Sequence, residues 1–137
     1  MRGPLFGGLR LGDWAILDGT VARVEALVVH TVLQAAETLR CDGRAAEAEW
    51  VARRGLLASP YDERLYRSLL LALAAQGDRS GMRAAMAQLL LVARAARTTC
   101  RERDTTAGIG AVGPETTALY RELLCRWPAP GGVPARL

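Results

Sequence analysis

The sequence predicts an all-α fold in which about five helices pair antiparallel and the pairs lie side by side. Three observations carry this reading. Half of the 137 residues are hydrophobic but only 5% are aromatic. The apolar mass is mostly Ala, Leu and Val, which suits close helix packing better than sheets, where β-branched and aromatic residues concentrate. Apolar positions recur with a helical period along most of the chain. Two glycine corners, Gly43 and Gly77, lie 34 residues apart, and each ends one helical pattern and opens another. The length suits one domain with its own core.

The first helix is expected from Thr20 to about Arg40, with Val21, Val24, Leu27, Val28, Val32, Ala35 and Leu39 as a broad buried stripe. Asp18 and Gly19 precede it, and Cys41-Asp42-Gly43 ends it, Gly43 being free to take the positive φ of a helix stop. The second helix runs from Arg44 to about Ala58. Its small residues Ala45, Ala48, Ala52 and Gly55 fall at helical spacing and make a seam for a close neighbour. Ser59 as N-cap, Pro60 at the first helical position and Asp62 as a capping-box acid open a third helix, Pro60 to about Gln76, with Leu65, Leu69, Leu70 and Leu73 on one side. After Gly77, Ser80 or Asp78 caps a fourth helix with Met82, Ala85, Met86, Leu89, Leu90 and Ala93 as its stripe.

From about Thr98 to Gly113 the period dissolves into turn formers and charges, which reads as a mobile linker. Pro114 opens a short last helix, PETTALYRELLCRW, with Thr116, Leu119, Tyr120, Leu123 and Leu124 facing inward. Residues 1–18 read as an irregular N-terminal segment, 19–126 as the folded domain, and 127–137 as a disordered tail.

The two corners correspond in detail. Ala48 stands five residues after Gly43 as Met82 does after Gly77, and Pro60 falls twelve residues after Ala48. A 34-residue helix–turn–helix unit with Gly, Ala and Pro at these offsets has the tetratricopeptide period. The expected architecture is therefore a tetratricopeptide-like, right-handed array.

The formal net charge is +4, and all 18 basic residues are Arg. They are scattered and interleaved with acids: Glu49 to Arg53 and Glu63 to Arg67 have the i,i+4 order of solvated helix faces. The densest group, Arg94, Arg97, Arg101 and Arg103, is diluted by Glu102 and Asp104. It is the candidate for nucleic-acid contact, although so scattered a charge is far from a basic stripe. Cys41, Cys100 and Cys125 are odd in number and widely spaced, which points to reduced thiols in a cytoplasm. The longest apolar stretches fall far short of the ~20 residues that span a bilayer, so no membrane insertion is expected of this chain.

Reaction chemistry is missing from the pattern. His30 has no acid and nucleophile in evident reach, and the cysteines and histidine lack metal-ligand spacing. FGGL and AGIGAVG lack the phosphate-loop pattern and follow no expected strand. No catalytic, cofactor-binding or metal-ligating residue is assigned, and no cofactor is expected. The surface candidates are Trp50, Arg53, Arg54 and Tyr61. Trp50 lies off the packing seam; it either packs under the N-terminal segment or contacts a partner, where exposed Trp is enriched.

Several stretches resemble the bacterial transcriptional activator domain of actinobacterial antibiotic-regulatory activators. RGPLFGGL is similar to the approach to that module, and GDWAILDGT to its opening Trp segment. DGRAAEAEWVARRGLLASPYDERLYRSLLLALAAQGDRSGMRAAMAQLL is similar to its central helix pairs, including Gly43, Ala48, Pro60, Glu63 and Gly77. GPETTALYRELL is similar to its closing helix, with Pro114, Thr117, Leu119 and Tyr120 in order. W-A-x-x-x-G-T with SPYDERLYR and PETTALYREL is nearest to the subgroup attached to LysM-containing or membrane-anchored proteins. The resemblance implies a cytoplasmic regulatory module that self-associates or contacts a protein partner. In that family a winged-helix DNA-binding domain precedes the module. None is seen in this sequence, whose start resembles mid-module, so DNA binding is not carried over.

Overall fold

The computed structural model describes residues 19–101 and 112–126. Among them the chain is all-helical, with five helices and no strand: α1 (Thr20–Cys41), α2 (Ala45–Ala58), α3 (Glu63–Gln76), α4 (Arg79–Arg101) and α5 (Pro114–Arg126). Helix α3 is central, touching all four others; α1 also touches α2, and α4 also touches α5. Helices α2 and α4 both rest on α3, and their backbones stay apart from each other.

The two glycine corners are built alike. Gly43 has φ 75° and Gly77 φ 73°, a region in which a Cβ is strained. At the first, the Arg44 N–H reaches back to the Leu39 carbonyl at 2.8 Å; at the second, the Asp78 N–H reaches the Leu73 carbonyl at 2.9 Å. Each closes the left-handed helix stop that satisfies otherwise orphaned carbonyls. The glycine, the donor and the acceptor of one corner each stand 34 residues from their counterparts at the other, so the repeat in the sequence is a repeat in the backbone.

Packing follows the same register. Ala48 and Ala52 of α2 are buried, as are Met82 and Met86 one repeat later. Ala36, Ala48 and Ala72 meet in a small cluster where α1, α2 and α3 come together. At Gly55 a Cβ would stand 2.7 Å from Val32 Cγ1 and 3.1 Å from Leu65 Cδ2. The seam expected along α2 is therefore a real close approach, set by the absence of side-chain volume. The main core gathers Leu65, Tyr66, Leu69, Leu70 and Leu73 of α3 against Val29, Leu56, Met82, Leu89 and Leu123.

Several expectations need correction. The buried side of α1 is Val29 and Ala36 with Val32, Leu33 and Leu39 beside them, while Leu27 is 66% exposed. This helix is apolar around much of its girth, so its period does not choose the inward side. At 22 residues against 14, α1 also overhangs α2. Helix α3 begins at Glu63, not Pro60. Asp62 is its N-cap and accepts from the Arg64 N–H at 2.9 Å. Ser59 instead ends α2, its N–H bonded to the Gly55 carbonyl at 2.9 Å, so the Pro is spent on the turn. Asp78, not Ser80, caps α4, accepting from the Gly81 N–H at 2.9 Å. Helix α4 continues through Arg101, so 98–101 of the expected linker are helical. The other end of that linker is also fixed: Val112 packs against the core and Gly113 is hydrogen-bonded. Residues 102–111, the N-terminal segment 1–18 and the tail lie outside the described residues.

The last helix repeats the text of the third. Leu65-Tyr66-Arg67 is followed by Ser68-Leu69-Leu70, and Leu119-Tyr120-Arg121 by Glu122-Leu123-Leu124. Helix α5 packs mainly on α3 and only lightly on α4.

Candidate functional site

The gap between α2 and α4 is a hollow of about 290 Å³, walled by Trp50, Arg53, Arg54, Leu56 and Leu57 from α2 and Gln88 from α4. Gln88, its one residue from α4, stands 34 residues after Arg54. Three of the four expected surface residues therefore meet here. Tyr61, 66% exposed in the turn after α2, is not in the hollow's wall.

Trp50 is 59% exposed. One helical turn on, the Arg54 guanidinium carbon lies over its ring, 5.1 Å from the centroid. At an exposed site such a contact contributes about 0.5–1 kcal/mol. Its structural effect is to hold the indole in one orientation, which reduces the ordering cost when a partner covers it. Arg53 Nε donates to Glu49 Oε1 at 2.7 Å, and Gln76 Nε2 donates to Glu49 Oε2 at 2.8 Å. That chain ties the rim of the hollow to the last turn of α3.

A second hollow, about 380 Å³, lies between α1 and α3 and carries Arg40, Arg64 and Arg67. Each guanidinium is matched: Arg40 by Glu37, Arg64 by Asp62, Arg67 by Glu115. The hydrogen bond from Arg40 holds the Glu37 carboxyl below its ordinary range. At Asp62 burial pulls upward, but bonds from the Arg64 side chain and N–H, with its charge, outweigh it and hold the carboxyl low. Sequence reading missed this groove. Its signals were the i,i+3 spacings Glu37–Arg40 and Arg64–Arg67; what they could not show is that α1 and α3 bring them together.

Of the arginines singled out for nucleic acid, Arg94 is exposed on α4. Arg97 and Arg101 belong to that helix by backbone, their side chains outside the described residues, as is all of Arg103. His30 and Cys41 are exposed and line neither hollow. Among the described residues no three His, Cys, Asp or Glu side chains group as metal ligands. No helix of the described residues is long and apolar enough to cross a membrane.

With this geometry in hand, comparison with protein families gives a match to the bacterial transcriptional activator domain over residues 1–124. The chain belongs to that family. No curated protein and no solved structure matches it. The activator-domain assignment spans both glycine corners, the Trp50 hollow and the first turns of α5, and it places the chain among regulatory domains of bacterial transcription.

Proposed function

We propose that this activator domain is a non-catalytic, cytoplasmic interaction module, a tetratricopeptide-like superhelix over residues 19–126 that binds a regulatory protein or a second copy of itself. Its contact surface is the hollow between α2 and α4, with Trp50, Arg53 and Arg54 at the centre and Tyr61 beside it. The observation that carries this is the Trp50–Arg54 stack: a large exposed aromatic, held in place, at the edge of an apolar-floored hollow. Aromatic and Arg anchors of this kind dominate binding energy at protein interfaces. Stacked helical pairs supply such surfaces without reactive groups, and the free thiols of Cys41 and Cys125 suit a reducing compartment.

The test is site-specific photo-crosslinking in cells, with the photoreactive residue placed at Trp50 or, as a control, at His30. A protein adduct at position 50 and not at 30 is expected, its mass telling a second copy from another protein. An adduct to DNA, with retention on DNA that falls steeply with salt, would replace this reading with contact through the Arg94–Arg103 region. Equal labelling at both positions would refute the assigned surface.

A further inference from the structure

The two helices that wall the Trp50 hollow differ in charge from the rest of the fold. Helix α1 pairs its Arg40 with its own Glu37, and α5 pairs Arg126 with Glu122, as solvated helix faces do. Helix α4 has no such means: it carries Arg79, Arg83, Arg94, Arg97 and Arg101 and no Asp or Glu along its length. From Trp50 to its end, α2 likewise carries Arg53 and Arg54 and no acid. Its own acids come before Trp50 and are engaged, Glu47 by Arg44 and Glu49 by Arg53. Asp78 caps α4, accepting from the Gly81 N–H and the Ser80 hydroxyl. Among the described residues no acid lines the hollow, whereas Arg53 and Arg54 do.

The hollow also asks for an apolar group. Leu56 and Leu57 line it beside Trp50, and Leu57 is 45% exposed. At about 290 Å³ it is at the lower edge of ligand-pocket size, room for a side chain and not for a helix. A nucleic-acid backbone has no aliphatic group for Leu56 and Leu57, and Glu49, bonded to Arg53, would face its phosphates. Two copies meeting hollow to hollow about a two-fold axis would set Arg53 and Arg54 of each against those of the other.

We propose that the partner of this hollow is an acidic segment of a different protein. It seats one large aliphatic side chain on Leu56 and Leu57 beside Trp50, and a neighbouring carboxylate meets Arg54. The arginines of the acid-free α4 add longer-range attraction, which favours encounter and selects against basic partners. The proposal rests on the reading of the hollow as the contact surface and adds the chemistry of what fills it.

The test uses the full chain and a synthetic peptide with one leucine between glutamates. Its controls are a peptide with arginines for the glutamates, one with serine for the leucine, and a DNA duplex. The glutamate–leucine peptide is expected to bind, more weakly as salt is added, with amide shifts centred on Trp50, Leu57 and Gln88. The serine peptide should bind about tenfold more weakly, for loss of the apolar contact. Arg54→Glu should reverse the preference toward the arginine peptide, an outcome that an unfolded variant could not give. Absence of any shift, equal binding of the arginine or serine peptide, shifts centred on the α1–α3 groove, or displacement of the peptide from Trp50 by the duplex would each overturn the proposal. So would a Trp50 adduct in cells whose mass is that of a second copy. If an adduct to another protein forms at Trp50 while the peptides fail, the acidic partner is refuted and the surface stands. If no adduct forms there, both are refuted.

Discussion

Glu63 Oε2 accepts a 2.8 Å hydrogen bond from the hydroxyl of Thr116, 53 residues further along the chain. The same carboxylate receives the Gly113 N–H at 3.0 Å on both oxygens. Thr116 is fully buried. One acid in the first turn of α3 thus satisfies the start of α5 as an N-terminal cap would, from another helix. The Arg67–Glu115 pair lies beside it. This contact joins the core packing of Leu123, Leu119 and Tyr120 in holding α5 on α3.

Glu63→Ala should destabilise the fold by about 2–3 kcal/mol, because it takes the partner from the buried Thr116 hydroxyl and from the Gly113 N–H. Thr116→Val should cost about 1 kcal/mol, the net worth of one hydrogen bond, since the carboxylate keeps the Gly113 N–H. The double mutant should cost less than the sum, since both changes break the same bond. Urea unfolding of the cycle checks this. Strict additivity would show the two residues to be energetically independent.

The repeated corners give a matched pair. Gly43→Ala and Gly77→Ala should each cost about 1 kcal/mol or more, since both positions need a positive φ. No atom stands within 4 Å of a Cβ built at Gly43, so crowding does not contribute there. A neutral result at either site, by thermal unfolding, would deny that the corner is held in that conformation.

Gly55→Ala sets two effects against each other. Alanine in a helix interior gains roughly 1 kcal/mol over glycine, but its Cβ would meet Val32 Cγ1 at 2.7 Å. Overpacking of about 1–3 kcal/mol wins, so the variant should unfold at a lower temperature. Val32→Ala in the same chain should restore part of the loss, which separates crowding from any other defect at that site.

Asp62 supplies a pH dependence. Its folded carboxyl is held low, with burial opposed and outweighed by the bonds and charge of Arg64. Its contribution is therefore complete above the unfolded value near 3.9 and is lost as the pH falls through the lower folded one. Asp62→Asn keeps a capping side chain but removes the charge. Its unfolding should be less acid-sensitive than wild type below about pH 4 and little changed in slope at neutral pH. An unaltered acid limb would remove Asp62 from the account.

The parts of the fold written locally were legible in the sequence. The corners at Gly43 and Gly77, the small-residue seam of α2 and the inward side of α5 each rest on a period or a turn residue. The inward side of α1 was not legible, because apolar residues surround it and only contact with α2 and α3 selects Val29 over Leu27. The start of α3 was misread because Ser59-Pro60 carries a helix-start signature that the chain uses as a turn. For the surface, Trp50 and Arg54 stand one turn apart and could be paired from spacing. The Glu63–Thr116 bond could not, since a contact across so much chain leaves no periodic trace.

The most direct measurement is the transcript profile of cells carrying Trp50→Ala with Arg54→Ala in the chromosomal copy, compared with wild type and with a deletion strain. Both side chains are exposed, so the protein should accumulate and fold normally while the profile matches the deletion. A wild-type profile from a stable, folded double variant would contradict the claim that this domain regulates through that surface.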